Sequence, residues 1–395
     1  MGGSEDLKSR LFKHLWQAGL FYSALAIVLI PGPLDFLGWQ KSLADALLLP
    51  LLKFAGGFFY QTENWIQEIS SDSSFMWLLL ALVVPFSMIL GFRQKHNSRL
   101  MASVQIVLTY FLAFVLLNYG VDKVFKAQFY LPEPNILFTP FGMLDKDILY
   151  WSTMGISYEY NLFLGWAEVL AAMLLLVRKT RVIGLILALG ILVNVVAVNF
   201  SFDISVKALS LLLLLISVVL LAPFARSFLA VFSYQENAKL TELPTLPSDW
   251  NSSKIQVIAK VIIIGIALIQ SILPFWQNGV YNDDLAERPF LHGAYEVTDS
   301  SDPNLKMIFI HRDGYLIFQD NDFRMKDYKL EIDPIEKSMN LIDYNREENI
   351  LHYTYNGTTG ELRIANGSNS FYAISESVNW RELPALKPQM HLSID

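Results

Sequence analysis

Residues 161 to 224 form an almost unbroken apolar run, interrupted by Glu168, Asn194, Asn199, Asp203 and Lys207. A hydrocarbon layer about 30 Å thick is crossed by roughly 20 apolar residues in a helix, so a run of this length predicts several adjacent membrane spans. Inside a bilayer every backbone polar group must be satisfied locally, which restricts such segments to helices. Four further stretches of comparable character extend the pattern. The expected spans are about 16–37, 74–92, 100–119, 161–178, 182–200, 206–224 and 255–274. An ionised side chain at the centre of a span costs roughly 2.5 to 3.5 kcal/mol on insertion scales, so the five interruptions need a reason.

The segment 43–60 is apolar but broken by Asp45, Pro50, Lys53 and Gly56-Gly57. It reads as an interfacial or re-entrant helix, with an eighth span as the alternative. Basic residues alternate along the connections: Lys8, Arg10 and Lys13, then Arg93, Lys95 and Arg99, then Arg178, Lys179 and Arg181, then Arg226, Lys239 and Lys254. The intervening connections are acidic or mixed, with Asp35, Glu63, Glu68 and Asp72 in the first. By the positive-inside rule the N-terminus is expected in the cytoplasm and everything after the seventh span outside. Pro31-Gly32-Pro33 follows Ile30 with no small-residue cleavage site, so the first span is expected to be uncleaved.

Composition narrows the chemistry. A net charge of −7 without Lys/Arg runs argues against nucleic acid as a partner, and the apolar spans make membrane lipid an expected one. The absence of cysteine excludes disulfides, iron–sulfur clusters and thiolate metal sites. None of the six histidines lies in an expected span, and no metal site or resident cofactor is evident.

Beyond Pro274 the pattern changes to short alternating runs: 294–298, 305–311, 315–319, 323–332, 338–343, 350–355, 361–364 and 371–375. Turn pairs such as Asp313-Gly314, Asn356-Gly357 and Thr359-Gly360 separate several of them. Eight such strands predict an up-and-down β-barrel, whose closure removes exposed edges. Its interior is either a pocket for a small apolar ligand or a core filled by its own side chains. Asp320, Asp322, Asp327 and Asp333 lack the spacing of a calcium loop and read as turn carboxylates.

The domain plan is therefore a two-span region with the interfacial helix (1–99), a four-helix membrane core (100–232), a cytoplasmic linker (233–254), the seventh span (255–274), a short linker (275–284), the all-β domain (285–385) and a tail (386–395). The third span is expected to run outward to Asn118-Tyr119-Gly120-Val121-Asp122-Lys123, and the fourth to run inward from Asn161. At about 1.5 Å per residue, Glu168 then lies roughly 10 Å deep. Asn194, Asn199, Asp203 and Lys207 fall in the same outer half. A carboxyl at that depth protonates or finds a cation, and Lys123 and Lys207 are the available partners. Ordinary roles stand beside these: snorkelling for Lys123 and Lys126, helix-to-helix hydrogen bonds for Asn194 and Asn199, and a structural ion pair for Asp203 with Lys207.

Several motifs carry a resemblance. Gly120-x-x-Lys123-x-Phe125, Gly165-x-x-Glu168 followed by Met173-Leu174-Leu175-Leu176, Asn199-Phe200-x-Phe202-Asp203-x-x-Val206-Lys207 and Leu220-Leu221-Ala222-Pro223 resemble the DoxX-like integral membrane family. Phe141-Gly142-Met143-Leu144 through Tyr158, with Trp151-Ser152-Thr153-Met154-Gly155 inside it, resembles the outer connection of the bacterial branch with extra spans and a C-terminal extension. The match covers about 100–225; Ser205 stands where that family commonly has proline. The start of the β region, Leu291-His292-Gly293-Ala294-Tyr295, is similar to the opening of lipocalin-like barrels. The resemblance implies a DoxX-like four-helix core and a membrane protein linked to redox processes. A quinone or small lipophilic ligand is then the expected occupant, with Glu168 handling a proton and Lys123 and Lys207 binding an oxygen or anionic group. The alternative is a non-enzymatic scaffold or assembly subunit whose β domain docks an extracytoplasmic partner or a lipid.

Overall fold

A computed structural model of the chain describes residues 2–29, 72–93, 97–235, 253–367 and 370–387, with isolated positions between 40 and 57 and between 237 and 243. The expected interfacial helix at 43–60, most of the linker 233–254 and the tail beyond 387 lie outside the described residues. The chain divides into two compact units, one comprising 1–128 with 162–279 and the other 129–161 with 280–395.

The first unit is helical: α1 (Gly2–Leu29), α2 (Ser74–Arg93), α3 (Ser98–Val124), α6 (Tyr158–Leu176), α7 (Arg181–Ser201), α8 (Lys207–Leu221), α9 (Ala225–Phe232) and α10 (Ser253–Asn278). The short α4 (Pro134–Leu137) and α5 (Lys146–Gly155) fall in the connection between α3 and α6. Five segments among the described residues are long and apolar enough to cross a membrane: Met76–Arg93, Ser98–Val124, Tyr158–Leu176, Arg181–Ser201 and Lys207–Phe232. The chain is thus a multi-pass membrane protein. The expected first and seventh spans fall on α1 and α10, which are not among these five, and 30–37 lies outside the described residues.

The helices pack through one continuous apolar cluster drawn from α1, α2, α3, α6, α7 and α8. α1 lies along α2, where a Cβ on Gly91 would come within 2.6 Å of the Ala18 backbone. Trp16 Nε1 of α1 donates to the Val219 carbonyl of α8 at 3.0 Å. On α10, Ser271 Oγ donates to Asn118 Oδ1 of α3, and Phe275 packs against Phe125 at 4.6 Å between ring centroids. α6 shows two faces at helical spacing: Tyr160, Phe163, Trp166, Leu170 and Met173 are exposed, whereas Asn161, Gly165, Glu168, Ala172 and Leu175 are buried. The first stripe has the character of a lipid-facing surface and the second faces the bundle.

The second unit holds the expected barrel. Strands β1 (Gly293–Ser300), β2 (Leu305–His311), β3 (Tyr315–Asp320), β4 (Met325–Asp333), β5 (Ser338–Ile342), β6 (Glu348–Asn356), β7 (Glu361–Asn366) and β8 (Tyr372–Val378) pair in sequence order, and β8 returns to β1 to close the ring. Every pairing is antiparallel, and register shifts in β1 and β2 mark bulges that help the sheet curl. Alternation sends Tyr295, Ile308, Leu316, Leu330, Leu341, Tyr353 and Leu362 inward, where side chains from all eight strands form one apolar cluster. These side chains give the barrel an apolar interior. Gly360, at φ +72°, has no room for a side chain: a Cβ there would collide with Ser377 Oγ.

The outward face of β1, β2 and β3 is also covered. Ala294, Met307, Phe309 and Ile317 pack beneath Leu131, Leu137 and Phe138 on one side and Trp380, Leu383 and Leu386 on the other. The connection 129–161, grouped with the four-helix core in the sequence plan, is therefore built into the barrel unit. The turn aspartates close their own loops. Asp320 Oδ1 accepts from the Asp322 and Arg324 amides, Asp333 Oδ1 accepts from Ile335 and Glu336, and Asp327 accepts from the Tyr344 hydroxyl.

Candidate functional site

The site grows from two glycines. A Cβ on Gly165 would stand 2.7 Å from the Gly120 carbonyl oxygen and 2.9 Å from the Val124 nitrogen. A Cβ on Gly120 would meet the Gly165 carbonyl at 2.9 Å. α3 and α6 thus cross backbone against backbone, the contact that small residues allow in membrane helices. One helical turn beyond each glycine stands a charge, Lys123 on α3 and Glu168 on α6. Helical side chains lean toward the N-terminus. That carries the Lys123 ammonium back along α3, where it donates to the Tyr119 carbonyl at 3.4 Å and lies 5.5 Å from the centroid of that residue's ring. There it meets Glu168: Nζ to Oε2 is 2.9 Å, with side-chain exposures of 8% and 6%. The sequence left Lys123 and Lys207 as alternative partners for Glu168, and the fold pairs it with Lys123.

Lys207 belongs to a second group in the same unit. Its ammonium lies 2.8 Å from Asp203 Oδ1 and 3.9 Å from Asp72 Oδ2. The Asp72 carboxylate also accepts from the backbone amides of Lys207 and Ala208 at 2.8 and 2.7 Å, closing the N-terminus of α8. A carboxylate there satisfies unpaired amides and complements the helix dipole. Asp203 and Lys207 do not share a helix, because α8 starts only at Lys207. A tight turn between α7 and α8 brings them together, with Asp203 at φ +54° and Val206 at φ +81°. Positive φ is unusual for a β-branched residue and marks local strain. Asp203 is 85% exposed, so its half of the pair is solvated.

The two asparagines separate. Asn199 is buried, and its Nδ2 finds no hydrogen-bond partner among the described residues. Asn194 is exposed and takes no part in either ion pair. Lys126, just past α3, is buried at φ +60°.

A third constellation, in the barrel unit, was not anticipated. Arg312, in the turn after β2, holds Asp283 with two parallel bonds, Nη1 to Oδ2 at 2.6 Å and Nη2 to Oδ1 at 2.7 Å. Arg288 adds a bond to Asp283 Oδ2 at 3.0 Å. His292 Nε2 donates to Glu133 Oε2 at 2.7 Å, and both side chains are almost fully buried. Asp284 Oδ1 accepts the Leu131 amide at 2.8 Å, and the Arg312 guanidinium lies 4.5 Å from the centroid of the Tyr130 ring. Burial opposes ionisation of Glu133, but the His292 hydrogen bond and the nearby positive groups outweigh it and hold the carboxyl below its ordinary range. Asp283 is likewise lowered, burial being overcome by Arg312 and Arg288. Burial is the main cause that lowers His311. This clamp ties residues 130–133 to the start of the barrel. Glu133 lies 159 positions before His292 in the sequence, and no spacing marked the clamp in advance.

The span chemistry is narrow. A buried ammonium and carboxylate side by side can bind a polar group on a lipophilic molecule or exchange a proton with it. Among the described residues no group of three or more His, Asp or Glu side chains is arranged to hold a metal ion. No family model matches the chain, and no solved structure matches it. It is similar to the uncharacterized protein YwoB of Bacillus subtilis (strain 168), at 37% identity over 123 residues that make up 31% of this chain and 77% of YwoB. At that identity and coverage, the chain belongs to the same family as YwoB.

Proposed function

We propose that this is a DoxX-like inner-membrane protein, redox-associated, that binds a quinone or a comparable small lipophilic ligand beside Lys123 and Glu168. In this reading the N-terminus is cytoplasmic, the barrel is periplasmic, and the ion pair lies in the outer half of the bundle. The observation that supports it best is the pair itself, buried within two spans at a crossing so close that only glycine fits. Intramembrane ionisable groups mark ligand or proton pathways more often than they serve as fasteners. Lys123 would bind a ligand oxygen, and Glu168 would give or take a proton. Reducing a quinone to a quinol takes up two electrons and two protons. The electrons would come from a partner redox subunit, because the sequence carries no electron-transfer motif. Equilibrium binding of a short-chain quinone to the purified chain tests the assignment. Glu168→Gln and Lys123→Met should each weaken binding by tenfold or more, the scale of about 1.4 kcal/mol. Unchanged affinity in both variants would remove the ligand from this site.

A second reading, a scaffold or assembly subunit, draws on the apolar cluster that side chains from all eight strands form inside the barrel. In this reading the domain offers its outer surface rather than a pocket. Deleting residues 285–395 should then abolish co-purification of a defined membrane-complex subunit while the helical core stays folded. Retained co-purification would reject the scaffold role of the barrel.

A further inference from the structure

The turn from α6 to α7 is tight and basic. A Cβ on Gly184 of α7 would stand 2.8 Å from the Leu175 nitrogen of α6, so the end of one helix and the start of the next touch through their backbones. Thr180 occupies the N-cap position of α7, yet its hydroxyl donates back to the Leu174 and Val177 carbonyls at 3.0 and 3.2 Å. The backbone amides of Arg181, Val182 and Ile183, the first of α7, make no hydrogen bond among the described residues. Free amides at a helix start carry the positive end of the dipole and suit an anion.

Arg181 adds an independent feature. It is only 6% exposed. Its Nε donates to the Leu175 carbonyl at 3.1 Å, while Nη1 and Nη2 have neither a hydrogen-bond partner nor a carboxylate among the described residues. The sequence shows why. Residues 98–121, 169–202 and 204–235, which hold most of α3, the second half of α6 and all of α7, α8 and α9, contain no Asp or Glu. Glu236, Glu242 and Asp249 of the following connection lie outside the described residues. Tyr110 of α3 stands close enough to act on the Arg181 charge, and its hydroxyl makes no hydrogen bond among the described residues. Arg178 and Lys179, both exposed, bring two more cations to the same turn, and neither meets a carboxylate there. The α6 carbonyl offsets part of the Arg181 charge, as expected for a cation at a helix C-terminus. It leaves one side of a buried guanidinium unused, and a buried charge without a counter-ion is costly.

We propose that this turn binds a phosphate group, held by the unused side of Arg181 and the first amides of α7, with Arg178 and Lys179 at its rim. A guanidinium fork pairs with two phosphate oxygens at once, and the amides supply donors for a third. The phosphate of an anionic membrane lipid and free phosphate share this chemistry. Val177, Ile183 and Ile186 are exposed beside the turn and offer acyl chains a surface, and basic pockets between spanning helices hold lipid head groups in this way. The inference is independent of the Lys123–Glu168 reading and of which side of the membrane carries the turn.

The full-length chain in maltoside micelles is titrated with radiolabelled phosphatidylglycerol and, separately, with radiolabelled inorganic phosphate. One saturable site is expected, and Arg181→Gln should weaken it by about tenfold or more, the loss of a charge-assisted contact. Saturation by the lipid alone identifies a membrane lipid as the source, whereas phosphate that saturates and displaces the lipid identifies the free ion; both uphold the site. Saturation by neither probe overturns the proposal, and so does equal affinity in the wild type and Arg181→Gln. Arg181 also holds the end of α6, so a second variant, Arg178→Gln with Lys179→Gln, alters only exposed side chains and keeps that contact. It should weaken binding by about threefold, the scale of exposed charges, and unchanged affinity there overturns the site as well.

Discussion

The buried Lys123–Glu168 pair and the partly buried Arg312–Asp283 clamp are both ion pairs, yet they are built in opposite ways. In the spans, the Lys123 ammonium meets the Glu168 carboxylate, with Asp122 close enough to act on both, and the geometry is set by backbone contact between Gly120 and Gly165. In the barrel unit, the charges form a network: Asp283 takes three guanidinium bonds from two arginines, and Glu133 takes His292 together with a weaker bond from the Arg312 amide. Where water is absent, desolvation must be offset by one well-aimed partner held by stiff helices. Where water is near, redundancy replaces aim. The span pair should therefore fail all at once when one member is lost, and the clamp should fail in parts.

Removing Glu168 gives the largest expected effect. Glu168→Ala leaves Lys123 buried without its anion and should cost about 3–5 kcal/mol in unfolding experiments on the reconstituted chain. Replacing both residues, Lys123→Met with Glu168→Leu, should recover most of that loss, because an apolar pair of similar volume avoids desolvation altogether. If the double variant is no more stable than Glu168→Ala, the pair is not the isolated unit described here.

Gly165→Ala tests whether the crossing sets the pair. The added methyl meets the Gly120 carbonyl and the Val124 nitrogen, backbone atoms that cannot swing aside, so α3 and α6 must separate. The expected cost is about 1–3 kcal/mol, typical of overpacking. Gly190→Ala is the control, since a Cβ there meets nothing within 4 Å. Equal effects at the two positions would argue that helix propensity, not contact, governs the crossing.

These two regions also differ in how far the sequence revealed them. Glu168 stood out because its neighbours are Leu, Ala, Val and Trp, and a lone carboxylate in such a run demands a partner. Its pairing with Lys123 rather than Lys207 was latent in the matched Gly-x-x-Lys and Gly-x-x-Glu spacings, which place glycine and charge on one face of each helix. Five spans and all eight strands followed from hydrophobic period, a signal that survives without knowledge of tertiary contacts. The clamp was hidden, because Glu133 lies 159 positions before His292 and only the fold brings it together with Asp283, His292 and Arg312. Asp72 was hidden for the same reason. It read as one acidic residue of a connection, whereas the fold uses it to close the N-terminus of α8. Asn194 shows the limit of depth as a guide: it shares a helix with Asn199, but five positions turn it to an exposed face.

In the clamp, Asp283→Ala removes the group that binds both arginines and should cost about 1.5–3 kcal/mol, the range for hydrogen bonds to charged groups. The loss should be local. Amide hydrogen exchange should rise in residues 130–138 and 283–292, while β4 to β7 stay protected. Uniform loss of protection throughout the barrel would mean that the clamp and the barrel fold as one unit.

The smallest expected effect is the pH response of the same clamp, and its sign is fixed by three lowered pKa values. For His311 the unfolded chain binds a proton more readily than the folded one, so stability is full above the ordinary histidine value near 6.5 and declines as pH falls through it. Glu133 and Asp283 act in the same direction at lower pH. Their contribution is complete above the usual carboxylate range, about 4, and is lost as pH falls through their depressed folded values. Protection factors of the 130–138 amides, with the intrinsic pH dependence of exchange divided out, should therefore fall slightly between about pH 7 and 5, and more strongly below about 4. Asp283→Ala should blunt the acid step and leave the step near neutral pH in place, because His311 draws its lowering chiefly from burial. If the variant abolishes both steps, the two groups titrate as one network, and the contrast between a redundant clamp and a single aimed pair no longer holds.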